Sequence, residues 1–323
     1  MTYLVTGAAG FIGSYLTQRL LLEGKEVVAV DRFAPYYSPQ LKLERFATLN
    51  PNTEIVNLDL SDRASLSEKL SKYNFECVIH LAAQPGVRVG YPENSVYLSD
   101  NLAGFSNMLH FVLERNIPKF MYASSSTVYE QVPSPFLESQ VLPIPKGIYA
   151  RSKWLNEKLA ESFLPFGLNA IGMRFFSVYG PWGRPDMSYL RMFNSALNGK
   201  TYFQNGTGEA LRDFTYINDA IEAIIRLDKL EKFSEPVVNI GGGHNRSMVE
   251  VRNVIESLTA QGIHIETNKQ NSTELAETLA SPELLQKLTG FIPDISIESG
   301  LGEIHEWITK FNLRSKIQFW TNS

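Results

Sequence analysis

Residues 2–13 read TYLVTGAAGFIG: an apolar run, then glycines at positions 7, 10 and 13, then the opening of an amphipathic segment. Tyr3 to Thr6 has the composition of a strand. Phe11 to Glu23 sets Ile12, Leu16 and Leu20 at helical spacing before Gly24 stops the pattern. A strand that passes into a helix through Gly7, Gly10 and Gly13, with Phe11 and Ile12 between the last two, predicts a dinucleotide site. Glycines permit the tight turn and close backbone approach, and the helix N-terminus offers unpaired amides and a partial positive charge to a pyrophosphate. The spacing is GxxGxxG, one residue longer at its start than the usual fingerprint. Asp31, at the end of the second strand and 18 residues after Gly13, suits a carboxylate that accepts hydrogen bonds from an adenosine ribose diol. It would repel a 2'-phosphate, so NAD is favoured over NADP. Arg32 pulls the other way, because a guanidinium there can face a phosphate. Asp59, after the third strand, is placed either to touch the adenine or to cap the following turn.

Outward from this stretch, short apolar runs alternate with helical patterns. Strands are expected at Val27 to Val30, Glu54 to Leu58, Cys77 to Leu81, Lys119 to Ala123 and Asn169 to Phe175, with a late one at Val237 to Ile240. The alternation predicts an α/β fold, a doubly wound Rossmann-type parallel sheet of about seven strands with helices on both faces and a smaller C-terminal lobe. The dinucleotide domain is expected to span residues 1–175, with returning segments near 213–242. Residues 176–212 and 243–323 are left for the second lobe. Pro133 to Pro145 reads as a surface loop, and GGGHNRS at 241–247 as a turn rather than a phosphate loop, since no lysine pattern follows.

The composition narrows the partners. The 323 residues are 44% hydrophobic and 20% charged, with a net charge of -4 and a pI near 5.8. Nothing in that balance suggests nucleic acid or an anionic membrane surface. One cysteine, Cys77, excludes an intrachain disulfide and fits a reducing compartment, and no apolar leader or membrane-spanning run is visible, so the expected location is the cytoplasm. The five histidines share no metal-ligand spacing. No metal is expected, and His80 reads as a hydrogen-bonded core residue.

A second window carries the chemistry. YASSSTVY at 122–129 and YARSK at 149–153 supply hydroxyls, a phenol and an ammonium. Four residues apart on a helix, Tyr149 and Lys153 share a face. A phenol, with an ordinary pKa near ~10, becomes a useful base only beside a positive charge. Taken alone, such a pair is more often a solvated helical contact than a catalytic one.

With GAAGFIG, DLSD at 59–62, HLAAQ at 80–84, SSSTVY at 124–129, YARSK and RDFTYINDA at 212–220, the chain resembles the extended short-chain dehydrogenase/reductases, in the nucleotide-sugar epimerase and dehydratase family. The resemblance covers nearly the whole chain. It implies Tyr149 as base, Lys153 as the cation that lowers the phenol's pKa and contacts the nicotinamide ribose, and Ser125 as the hydroxyl that holds the sugar oxygen. It also places Asp59, Leu60, Leu81, Ala82, Ala83 and Gln84 against a bound NAD. Dehydratases of this family carry carboxylates just after that hydroxyl, where this chain has Ser126 and Thr127, so dehydration is not expected. What is left is oxidation at a sugar carbon and return of the hydride to the opposite face, a 4-epimerisation of a UDP-sugar.

The stretches at 31–45, 80–88 and 174–187 are similar to UDP-glucuronate 4-epimerases in particular. By that likeness Ser177, with Ser126 and Thr127, holds a carboxylate out of the orientation in which a β-keto acid loses carbon dioxide. Arg184 and Arg88 are charge partners for it. Arg212 resembles the family arginine for the UDP diphosphate, and Arg191 and Phe193 are expected at the uracil or diphosphate. The region around 271–285 departs from the family pattern, with Ser281 where an aspartate is usual. A UDP-glucuronate decarboxylase, an epimerase of neutral UDP-hexoses, and more distantly a silent NAD-binding sensor stay open. The apolar stripe Tyr97, Asn101, Leu102, Phe105, Met108, Leu109 and Val112 reads as core, and the family implies a homodimer through that helix and the one carrying Tyr149.

Overall fold

All seven apolar runs pair side by side in a computed structural model that describes residues 2–86, 93–268 and 275–316. In chain order the strands are β1 (Thr2–Thr6), β2 (Glu26–Asp31), β3 (Ile55–Asn57), β4 (Phe75–His80), β5 (Lys119–Ser125), β6 (Ala170–Phe175), β7 (Ser177–Tyr179), β8 (Tyr202–Asn205), β9 (Leu211–Tyr216), β10 (Val237–Ile240), β11 (Asn245–Ser247) and β12 (Ile265–Asn268). The helices are α1 (Phe11–Leu22), α2 (Pro39–Leu49), α3 (Arg63–Leu70), α4 (Gly104–Glu114), α5 (Ile148–Phe163), α6 (Ser188–Asn198), α7 (Ile217–Asp228), α8 (Met248–Thr259), α9 (Glu283–Thr289) and α10 (Ile297–Lys310).

The large sheet is parallel and runs β10-β6-β5-β4-β1-β2-β3. The order reverses between β1 and β4, and at such a switch point a crevice opens beyond the carboxyl ends of the strands. The two-residue side-chain period explains the double layer. Tyr3 and Val5 of β1 face a core shared with Leu16 and Leu20 of α1 and Ile221 and Ile224 of α7. Leu4, between them, faces Leu66 and Leu70 of α3 and Phe105, Met108 and Leu109 of α4. Each such side chain, fully buried, contributes about 1.5–3 kcal/mol. The stripe from Tyr97 to Val112 begins as a π-helical segment, Tyr97–Ala103, and continues as α4; apart from Leu102 its members are buried.

The remaining strands build a smaller lobe: β7 pairs parallel with β9, β9 antiparallel with β11, and β8 parallel with β12. Pro133 to Pro145 differs from a plain surface loop. Phe136 is buried and stacks on Tyr129 at 4.6 Å, while its amide and carbonyl bond Leu279 O and Ser281 N. An aromatic side chain among prolines overrode their turn signal.

Beneath the end of β5 lies a buried polar network. Arg174 Nε and Nη2 donate to the two oxygens of Glu157 at 2.9 and 2.8 Å, Ser124 Oγ donates to Glu157, and Arg174 Nη1 reaches Tyr129 OH at 2.6 Å. Removing one partner of a buried pair leaves the other uncompensated. Glu157→Ala is therefore expected to lower stability by about 3–5 kcal/mol, read from the urea midpoint. An unchanged midpoint would contradict this account of the network.

Candidate active site

Every element of the site lies beyond the carboxyl edge of the large sheet. After β1 the chain turns at Gly7, with φ +69°, and an added Cβ there would lie 2.7 Å from Ala82 N. A Cβ on Gly13 would lie 2.1 Å from Gly7 O. Both positions accept only glycine. The N-terminus of α1 carries no side-chain cap, so its first amides face the cavity as an anion site. Asp31 accepts from Ala9 N at 3.0 Å and Phe33 N at 2.7 Å, which ties the end of β2 to the glycine turn. Asp59 accepts from Ser61 N and Oγ at 2.9 and 2.7 Å, the capping arrangement, while also lining the cavity.

Next along the sheet, β5 ends at Ser125, whose Oγ accepts from Thr127 Oγ1 at 3.0 Å and which lines the same cavity as Tyr149. Tyr149 and Lys153 sit in the first turns of α5. Glu130 prepares that start, because its Oε2 accepts from Lys146 N and Gly147 N at 2.7 and 3.0 Å. Lys153 is 3% exposed and donates to Ala123 O at 2.8 Å. Burial pulls its ammonium down to about 8, with Glu157 opposing. Burial pushes the Tyr149 phenol above its ordinary value, and the charge of Arg184 and the Ser125 hydroxyl oppose that rise. Arg184 thus adds a positive charge at the phenol that the helical spacing of Tyr149 and Lys153 did not announce.

One cavity of about 1120 Å³ joins these groups. It exceeds the roughly 300–1,000 Å³ usual for one small ligand, so there is room for a dinucleotide and a second molecule. Gly7, Gly10, Phe11, Ile12, Gly13, Asp31, Asp59, Leu60 and Leu81 to Gln84 line one end. Ser125, Ser126, Thr127, Tyr149, Lys153, Ser177 and Arg184 line the middle, and Arg191 and Arg212 the far end. Arg184 holds Asp186 through Nε and Nη2, both at 3.0 Å, and Tyr36 OH reaches the same carboxylate at 3.2 Å. Arg191 lies over the Tyr202 ring, and Arg212 Nη1 donates to Leu211 O at 2.7 Å. Arg88 lies outside the described residues.

Phe193 is corrected: it is fully buried on α6, stacked on His305, and does not reach the cavity. The α6 stripe that buries it is core spacing. Of GGGHNRS only Gly241 to His244 lies outside the strands, since Asn245–Ser247 forms β11; the Gly242 and Gly243 amides donate to buried Asp213, whose carboxyl is pushed up to about 6 by burial. His80 is a core residue, its Nδ1 2.8 Å from Thr6 Oγ1. Among the described residues no cluster of metal-ligating side chains occurs, and no helix is long and apolar enough to cross a membrane. Sequence reasoning missed Arg45, which is wholly buried on α2. It donates to Ala9 O, Tyr37 OH, Trp182 O and Gly183 O, so it joins the glycine turn to the segment bearing Arg184. No local pattern announces it.

Comparison with known proteins agrees with this geometry. A profile described as the NAD dependent epimerase/dehydratase family matches residues 3–241. A probable UDP-glucuronate 4-epimerase of Rhizobium meliloti is 37% identical over 332 residues, covering 95% of this chain and 96% of the relative. The UDP-glucuronic acid 4-epimerase of Bacillus cereus, solved with UDP-glucuronic acid and NAD, superposes with a TM-score of 0.88 at 30% identity over 96% of this chain and all of that one. A UDP-glucose 4-epimerase of Thermotoga maritima, solved with UDP-glucose, gives 0.86 at 25% identity, covering 97% of this chain and 100% of its own.

The residues fit a bound NAD, since the turn packed backbone against backbone at Gly7 and Gly13 presents main chain rather than side chain to the cavity, at the uncapped start of α1. Gly13→Ala is expected to weaken dinucleotide binding by roughly tenfold or more, equivalent to about 1.4 kcal/mol. Nucleotide released from the heat-denatured protein and separated by chromatography measures it. Wild-type occupancy in the variant would show that the turn does not cradle the cofactor.

Proposed function

The chain belongs to the NAD-dependent epimerase/dehydratase family, and on that footing we propose that it interconverts UDP-glucuronate and UDP-galacturonate through a transient 4-keto sugar. One observation carries the reading: Tyr149 faces a cluster of hydroxyls, Ser125, Ser126 and Thr127, with the Arg184 guanidinium acting on the same phenol. Neither position after Ser125 offers a carboxylate to expel water. The proteins named as UDP-glucuronate 4-epimerases that match along nearly the whole chain support the same substrate.

When bound, NAD supplies a reversible hydride acceptor at the sugar carbon. Tyr149, as phenolate, takes the proton of the 4-hydroxyl and later returns it. Ser125 steadies that oxygen while its charge changes, and Thr127 donates to Ser125 behind it, which orients the hydroxyl. Lys153 is proposed to contact the nicotinamide ribose from its buried position. Ser126 and Ser177, joined by Thr127 when its hydroxyl turns from Ser125 to the sugar, hold the carboxylate away from the perpendicular alignment that favours loss of carbon dioxide, a use of positioning to suppress a side reaction. Arg184 balances the carboxylate charge. Arg212 and Arg191 are assigned to the diphosphate and uracil.

The protein is proposed to act in the cytoplasm as a homodimer. Leu98 beside α4, at 63% exposure, and Leu155 on α5, at 42%, support that pairing because they are large apolar side chains facing outward.

Purified protein incubated with UDP-glucuronate and no added NAD should yield UDP-galacturonate, followed by chromatography of the sugar nucleotides. A decarboxylated pentose as sole product, or no conversion even with NAD added, would defeat the reading. The pH dependence is a second check. Removing the Arg184 charge leaves burial less opposed, so the phenol's pKa rises and the phenolate forms only at higher pH. In Arg184→Met the rising limb of kcat should move to higher pH, with kcat at neutral pH falling roughly tenfold for each unit moved. A limb in the wild-type position would dissociate Arg184 from the base.

A further inference from the structure

The end of β2 presents Asp31 and Arg32 together, two side chains with opposite preferences for a 2'-phosphate. The packing around them decides between the two. Arg32 Nη1 donates to Asp59 Oδ2 at 2.8 Å, and Nη2 to Asp100 Oδ2 at 2.5 Å. Each carboxylate is itself fixed: Asp59 Oδ1 accepts from Ser61 N and Oγ, and Asp100 Oδ1 from Ser99 Oγ at 3.0 Å. The three residues come from the end of β2, the turn after β3 and the π-helical segment before α4, and all three line the cavity. Lys42, the other cation lining this end, donates to Ala34 O at 2.6 Å and lies 4.8 Å over the Tyr37 ring. Asp31 is engaged by the Ala9 and Phe33 amides. Three carboxylates therefore face two cations here, and both cations have partners.

We propose that Asp59 and Asp100 are specificity residues, which engage Arg32 so that the site takes NAD and rejects NADP. The proposal rests on the NAD-dependent reading and deepens it. A guanidinium holds a phosphate best through two parallel N–H bonds, and here both Nη atoms are committed to carboxylates. A 2'-phosphate would have to displace Asp59 or Asp100 while adding about two negative charges beside Asp31. Discrimination thus comes from repulsion as well as from the ribose contact of Asp31. Asp100, whose side chain is 9% exposed against 42% for Asp59, is the better shielded half of the clamp.

The test uses full-length protein stripped of dinucleotide, with NAD and NADP affinities measured by calorimetry for wild type, Asp100→Asn, Asp59→Asn and each of these combined with Arg32→Ala. The wild type should favour NAD, and either asparagine should narrow the preference by roughly tenfold, about 1.4 kcal/mol. Adding Arg32→Ala should abolish that gain, and salt should weaken it. Arg32→Ala alone should not raise NADP affinity, since it uncovers Asp59 and Asp100. An unchanged ratio in variants that keep the wild-type circular dichroism would overturn the proposal. So would a gain of NADP affinity in Arg32→Ala alone, since the carboxylates would then not repel the 2'-phosphate. If Asp100→Asn does not fold, the more exposed Asp59→Asn decides the matter. A wild type that binds neither dinucleotide would defeat the cofactor reading and this proposal with it, an outcome distinct from an unchanged ratio.

Discussion

An ammonium buried between a strand end and a helix has to find an acceptor, and Lys153 finds the carbonyl of Ala123 at 2.8 Å. That bond docks α5 on the last residues of β5. One turn further along α5, Glu157 accepts from Ser124 and from Arg174 of β6, which fixes the helix to two neighbouring strands. Ser124 donates to Glu157, and Ser125, the next residue at the end of β5, lines the cavity together with Tyr149 and Lys153. The pair proposed as catalytic is thus held in place by Ala123, Ser124, Glu157 and Arg174. Left unbonded, a buried cation or carboxylate would cost several kcal/mol, and this penalty makes the arrangement specific.

The two ends of the cavity use charge in opposite ways. Around Asp31 the Arg32 guanidinium is engaged by two carboxylates and the Lys42 ammonium by the Ala34 carbonyl, an arrangement proposed to exclude further negative charge. At the sugar end hydroxyls predominate and Arg184 faces the base, held by Asp186 and Tyr36. Arg45, buried beneath the glycine turn, joins the two through the carbonyls of Ala9, Trp182 and Gly183.

Much of this was legible in the sequence because it is local. Seven strands, the glycine turn, Asp31 at a strand end and Tyr149 four residues from Lys153 are each written within a few positions, where periodicity and steric limits act directly. The cavity gathers every residue assigned to it from the sequence except Phe193 and those beyond the described chain. What escaped is long-range. Arg32 meets Asp100 across 68 positions, and Arg45 meets Trp182 across 137; no spacing rule connects them. That Arg184 also opposes the rise of the Tyr149 phenol escaped for the same reason, since it lies outside the helix that carries Tyr149. Phe193 and Phe136 were misread because their surroundings, not their neighbours in sequence, decide whether an aromatic ring is core or surface.

The account's central claim is that one carbon loses a hydride and receives the same hydride back from the other face within a closed site. UDP-glucuronate carrying deuterium at carbon 4 tests it most directly, with the UDP-galacturonate product examined by mass spectrometry and proton NMR in the presence of excess unlabelled NAD. The account predicts that deuterium is retained at carbon 4 with the configuration inverted. Replacement of the label by hydrogen from solvent, or release of a 4-keto sugar with the deuterium carried off on reduced dinucleotide, would contradict it.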